Sequence, residues 1–299
     1  MKKIFIFFLI LSTTVLAQTA GKSGLSFLKF GFGARNIAMG DAGSVTASDV
    51  TSLFYNPANL SVNDNTEIVL MHYEWIQDVS SEILGVKFEA FGLPLAAGFN
   101  VTTAGDIPVR SKASDEPEST FDANYFFGSL STGFNIVEDI AFGATIRYMY
   151  EGYLSDEATG LGFDFGLRYV TPVKGLTASA VIKNLGSMNQ LREVETELPT
   201  ELRIGGLYQF DFDASKFDLN VAAEMHKYTK TDDTHFNIGS EIVYDNIIAL
   251  RAGYQSGYES RDFTGGIGLM WGRLKFDYAF MPMSQELGSG NLFSLQFMF

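Results

Sequence analysis

Leu161-Gly162-Phe163-Asp164-Phe165-Gly166-Leu167-Arg168-Tyr169 places an apolar side chain at every second position, with Gly, Asp, Gly and Arg between them. A period of two belongs to a strand with one apolar and one polar face. The pattern recurs along the chain. Phe293, Leu295, Phe297 and Phe299 oppose Ser294 and Gln296, and Leu274, Phe276, Tyr278 and Phe280 oppose Arg273, Lys275 and Asp277. Phe217, Leu219, Val221 and Met225 oppose Asp218, Asn220, Glu224 and His226, and Ile140, Phe142, Ile146, Tyr148 and Tyr150 oppose Gly143, Thr145 and Arg147. Length decides what the apolar face meets. Strands of a soluble sandwich average about 5–6 residues. Many segments here reach about 9–11, the length a tilted strand needs to cross a bilayer. Tyr148, Tyr150, Tyr169, Tyr244, Tyr254 and Trp271 sit toward segment ends, as in the aromatic girdles of membrane barrels. The competing reading is a secreted two-sheet sandwich.

Working outward, strands are expected over 66–75, 80–90, 95–103, 121–134, 140–153, 159–170 and 176–184. A second set covers 200–212, 216–227, 234–244, 246–255, 262–271, 273–281 and 291–299. These make about fourteen, an even number as bacterial single-chain barrels require. Short turns at 91–94, 135–139, 171–175, 213–215, 245–246 and Gly272 alternate with longer, mostly acidic links at 104–120, 154–158, 185–199, 228–233, 256–261 and 282–290. With the plug and Phe299 on the periplasmic side, every connection falls on the side its length predicts.

The chain opens with a secretory leader: Lys2 and Lys3, an apolar run over 4–11, and Val15-Leu16-Ala17 before Gln18. Cleavage near Ala17 is expected, and loss of the two lysines takes the formal charge from −14 to −16. Without cysteine there is neither a lipidation site nor a disulfide framework. So acidic a chain is a poor nucleic-acid ligand, because phosphate neutralisation needs clustered Lys and Arg. Hydrophobic residues at 46% argue against disorder. Beyond the leader no apolar run approaches the roughly 20 residues of a membrane helix. The division expected is a signal peptide over 1–17, a plug over 18–62 and a barrel over 63–299.

Gly31 to Ser61, GFGARNIAMGDAGSVTASDVTSLFYNPANLS, lacks alternation and is rich in small residues. Helix-compatible residues run over 48–54, with Ser48 or Asp49 as a cap and Pro57 as a stop. Ahead of a barrel, such a segment reads as a helical or irregular plug in the lumen. GFGARNIAMGDAG followed by FYNPANLS resembles the start of the PorV/PorQ family of the type IX secretion system, within the FadL-like fatty-acid transporter superfamily. The residues that carry the resemblance are Gly33, Ala34, Arg35, Met39, Gly40, Ala42 and Gly43, then Asn56, Pro57 and Ala58. It implies a monomeric barrel of fourteen strands with its N-terminal segment inside. It also implies that the strand ending at Phe297 and Phe299 is read by the outer-membrane assembly machinery. The modest outer loops depart from a cargo-holding protein, whose binding surface long loops would supply.

Arg35 reads either as a gate or ligand contact, or as a clamp to Asp41, Asp49 or a wall carboxylate, since a buried charge must be paired. Gly33, Gly40 and Gly43 suit close backbone approach. Asn56-Pro57-Ala58 reads as an Asx-type turn or as the helix stop that joins plug to first strand. The inward faces carry Lys87, Glu89, Arg147, Asp164, Arg168, Arg203, Glu224, Glu241, Arg251, Arg273, Lys275 and Asp277, a ladder of both signs suited to bridging across the lumen. An enzyme is not expected: Glu224, His226 and His235 form no readable catalytic set, and no cofactor or metal is implied. The leading expectation is an outer-membrane accessory of protein secretion. Its partners would be membrane lipid, a secretion channel and the C-terminal domains of secreted cargo. The alternative is FadL-like transport of hydrophobic small molecules, which requires an apolar space in the lumen.

Overall fold

A computed structural model describes residues 24–154, 156–212, 216–231 and 233–299. The leader and its cleavage site lie outside the described residues. Fourteen antiparallel strands close into a barrel. They are β1 (Glu67–Glu74), β2 (Val79–Ala90), β3 (Leu93–Val109), β4 (Ser119–Val137), β5 (Ile140–Tyr153), β6 (Asp156–Val170) and β7 (Leu176–Met188). After a small hairpin of β8 (Gln190–Leu191) and β9 (Val194–Glu195) come β10 (Glu201–Phe210), β11 (Phe217–Tyr228), β12 (Thr234–Tyr244) and β13 (Ile248–Ser256). β14 (Phe263–Trp271), β15 (Leu274–Met283) and β16 (Gly288–Met298) complete the wall. Each strand pairs with its sequence neighbour except where β10 takes β7, leaving the β8–β9 hairpin outside the sheet. Closure comes from β1 against β16, in register from Glu67 opposite Met298 to Glu74 opposite Asn291.

The alternation meets the bilayer as its chemistry requires. Outward side chains such as Leu130, Phe236, Leu250 and Phe293 are exposed, while Arg147, Asp164, Glu224 and Arg251 are buried inside. No backbone donor or acceptor in a closed sheet is left at an edge, which lets a β structure cross lipid. The apolar rows therefore face the membrane and do not meet between two sheets. Several strands run farther at the outer end than expected: β3 and β4 continue to Val109 and back from Ser119, through a register shift between Ala104 and Ile107. Those stretches, Ala104-Gly105-Asp106-Ile107-Pro108-Val109 and Ser119-Thr120, continue the ladder without a regular apolar row, so alternation underestimates them.

Residues 24–62 fill the lumen. The segment comprises a 3-10 turn Ser26–Lys29, the helices α1 (Ala34–Ala38), α2 (Gly43–Thr46) and α3 (Ser52–Tyr55), and a 3-10 turn Pro57–Val62. Helices of four or five residues do not persist alone; these are held by the wall. The helix expected over 48–54 is shorter and shifted: Asp49 Oδ1 accepts from Thr51 N at 2.9 Å, closing an Asx-type turn ahead of α3. Pro57 ends that helix but also begins the next 3-10 turn. The plug is not confined to the periplasmic side. Gly24 N donates to Glu197 O in the outer β9–β10 connection, so the segment threads the barrel from outer mouth to the start of β1.

Candidate functional site: the plugged lumen

The lumen has three levels of different chemistry. At the outer level Leu25, Phe27, Leu28 and Phe32 of the plug pack against Tyr73, Trp75, Ile83, Phe127, Met149, Met281 and Leu292 of the wall. Phe32 stacks on Phe54 at 4.8 Å, and Phe30 lies 4.2 Å from the Trp75 ring. This apolar chamber departs from the polar, paired interior expected of most strands. Toward the outer ends of β5 and β15 both faces of the strand are apolar, with Met149 inward between Tyr148 and Tyr150 and Met281 inward between Phe280 and Pro282, so alternation alone cannot tell lumen from lipid there.

The middle level is ionic. Arg35, on α1, forks onto Glu241 of β12 with Nε and Nη2 at 2.9 and 2.8 Å, and gives Nη1 to Thr46 O at 2.6 Å. Glu241 also receives Arg251 Nε at 2.6 Å, and Arg251 reaches Asp277 at 2.8 Å. Arg35 is thus a plug-to-wall clamp whose partner is the wall carboxylate, not Asp41 or Asp49. Asp49 instead faces Lys275 at 3.5 Å. Burial disfavours the Asp49 carboxylate, but the Lys275 ammonium, the Thr51 hydroxyl and Arg35 outweigh it and hold its pKa below the ordinary value.

A second cluster ties α2 and α3 to the opposite wall. Ser44 N and Oγ donate to Glu224 Oε2 at 2.9 and 2.6 Å, and Tyr55 Oη donates to Asp41 Oδ1 at 2.5 Å. Arg203 lies between Glu201, Asp41 and Glu224 at 3.1, 3.5 and 3.4 Å. Arg147 bridges Asp164 at 2.8 Å and Asn184 at 2.7 Å without touching the plug's charges.

Two members of the expected ladder stand apart. Arg273 is exposed in the periplasmic turn between β14 and β15, because Gly272 takes a φ of +59° and the strand begins only at Leu274. Glu89 is likewise exposed near the turn that follows β2. Arg168 keeps the inward side of β6 but is half-buried, with no ion pair among the described residues. His226 reaches Glu224 at 2.7 Å, whereas His235 stacks on Tyr258 at 3.8 Å. Among the described residues no group of three His, Cys, Asp or Glu could hold a metal.

The small residues mark where backbone meets wall. Gly40 has φ +71° and donates its N–H to Thr264 Oγ1 at 3.1 Å, and a Cβ there would strike the Ile238 carbonyl. Met39 is fully buried with its carbonyl against Gly239, and a Cβ on Gly43 would enter the Tyr55 ring. Asn56 accepts from Ala58 N at 3.1 Å and donates to Ser44 O and Leu167 O, each at 3.1 Å. It therefore caps its own turn and ties the plug to β6. Gly133, Gly143 and Gly166 supply the space for Pro57, Ala58 and Asn56. The last level is a polar vestibule of about 470 Å³ at the periplasmic mouth, reaching from Asp49 and Arg35 to Asn65 and Asn246. Phe297 and Phe299, 4.6 Å apart edge to face, lie outside at the same end.

Lys87, of the inward ladder, also holds the plug, together with Tyr73 and Glu67, which lie outside that ladder. The Tyr73 hydroxyl receives Gly33 N, Glu67 Oε2 receives Val50 N at 2.5 Å, and Lys87 donates to Asn63 Oδ1 at 2.7 Å. Their signal was present as inward positions of β1 and β2, but the plug residues they meet could not be read.

No family model and no curated protein matches the chain. Solved structures do. The Pseudomonas putida toluene transporter TodX superposes with a TM-score of 0.63 at 15% identity, over 90% of this chain and 96% of that one. A TodX variant described as a monoaromatic hydrocarbon channel, lacking S2 and S3, gives a TM-score of 0.61 at 14% identity over 90% and 97%. At such identity the likeness is one of fold, and the chain is an outer-membrane-type barrel of fourteen strands with its N-terminal segment in the lumen.

Proposed function

We propose that this protein is a plug-gated channel for hydrophobic small molecules across the outer membrane. The observation that carries the reading is the apolar chamber in the outer lumen, filled by the plug's own Leu25, Phe27, Leu28 and Phe32. Salt bridging alone would give no reason for Trp75, Phe127, Met149 and Met281 to line a channel interior. An aromatic or aliphatic solute can take the place of the plug's rings at little cost, since apolar contact replaces apolar contact. The shared fold with a toluene transporter agrees with that substrate class.

The competing reading is a PorV/PorQ-like accessory of protein secretion. It rests on the resemblance carried by Arg35, Met39, Gly40, Gly43 and Asn56-Pro57-Ala58. Those residues hold the plug to the wall, a role that either function needs. One experiment separates the two. Deletion of the gene should slow uptake of a labelled monoaromatic compound into cells and leave the secreted proteome intact. Unchanged uptake, together with loss of surface proteins and co-purification with a secretion channel, would instead establish the accessory role. In either case we propose that Phe297 and Phe299 serve as the signal for outer-membrane assembly.

A further inference from the structure

The lipid-facing wall carries an ionisable cluster on β1 and β2 beside the apolar faces of β3 and β16. His72 of β1 points outward with Nδ1 2.6 Å from Glu82 of β2 and Nε2 3.6 Å from Glu74. In the sheet His72 lies opposite Phe293 and Glu82 opposite Val101, both lipid-facing. Glu74 and Ser80 close the hairpin just above, so the cluster sits at the outer margin of the apolar band. Below it a groove of about 500 Å³ runs between Leu70, Leu84, Phe99, Phe276 and Leu295, within the about 300–1,000 Å³ typical of small-molecule sites. Ionisable side chains on the lipid face of a barrel are unfavourable unless partnered, and they mark function. Two carboxylates share one imidazole, so the cluster stays anionic even when His72 is protonated. The side chains of Glu74 and Glu82 remain 63% and 65% exposed, leaving acceptor oxygens free for a further donor.

We infer that this is a lipid-binding site, in which an acyl chain lies in the groove and a headgroup with ammonium N–H donors caps Glu82 and Glu74. Continuity with the bilayer band provides the chain, the excess negative charge favours a cationic headgroup, and the free acceptor oxygens select one with N–H donors. The inference is independent of what passes through the lumen. The test uses the full-length mature protein in vesicles of equal phosphatidylethanolamine and phosphatidylcholine with identical chains, extracted into detergent and analysed by native mass spectrometry. Retention of the ethanolamine lipid about tenfold above the choline lipid is expected, the factor set by one charge-assisted hydrogen bond. E74Q/E82Q should bring the two lipids to parity, and Val101→Trp, which fills the groove from an exposed position, should remove both. Heat-modifiable electrophoretic mobility checks that each variant is a folded barrel. Equal retention by the wild type, or a preference that survives in E74Q/E82Q, overturns the proposal. Full retention in Val101→Trp overturns the groove.

Discussion

Arg35→Ala isolates the clamp between plug and wall. The change removes a two-pronged contact to Glu241 and the bond to Thr46 O, but Glu241 keeps Arg251 at 2.6 Å and Asn220 at 3.1 Å. The carboxylate is therefore not orphaned, and the loss is that of charge-assisted hydrogen bonds, about 1.5–3 kcal/mol. Glu241→Ala is harsher, because it strips both Arg35 and Arg251 of a partner. Removing one member of a buried ion pair costs about 3–5 kcal/mol. If the plug moves as a unit, about 2 kcal/mol multiplies the population of its withdrawn state roughly thirtyfold. The chain has two tryptophans, Trp75 packed on Phe30 in the chamber and Trp271 exposed, so a Trp271→Phe background leaves Trp75 to report on the plug. Single-channel recording should show rare openings in the parent, more frequent ones in Arg35→Ala and the most in Glu241→Ala. Trp75 emission should shift red in the same order while the barrel stays heat-modifiable. Closed channels and unshifted emission in both variants would refute the clamp. Equal effects of the two would refute the sharing of Glu241.

Phe27→Ala and Phe32→Ala should vacate part of the outer chamber, at a cost of up to about 3–5 kcal/mol of plug docking, and create binding for a monoaromatic probe that quenches Trp75. Gly166→Val should collide with Asn56 and raise protease sensitivity of the plug without unfolding the wall. The Asp49 carboxylate has its pKa depressed in the folded protein, so the contribution of its clamp to Lys275 is complete above the ordinary carboxylate value of about 3.9. It is lost only as pH falls through the lower, folded value. Conductance should accordingly stay closed down to about pH 4 and rise below it in the parent, with the rise absent in Asp49→Asn, which should be leaky at all pH. Arg273→Ala, in an exposed turn, should leave conductance and plug protection unchanged, within about 0.5 kcal/mol.

The wall of this protein is written in its sequence. Side chains along a strand alternate between two environments, lipid outside and a polar lumen within, and Leu161 to Tyr169 record that contrast residue by residue. Turn lengths give its orientation. The pairing of Arg35 with Glu241 and of Asp49 with Lys275 was not legible, because a pairing across the lumen depends on strand register and on how a plug of very short helices folds back. Neither has a local signature. The apolar outer chamber was hidden for a different reason: where both faces of a strand are apolar, as at Ala279 to Pro282, periodicity no longer says which side is wet. Sequence alone settled that a barrel forms and which rows face the membrane. Only the tertiary structure decided what each inward residue touches, since those contacts join segments up to 260 residues apart, such as Ala34 N to Ser294 Oγ, through a closed wall.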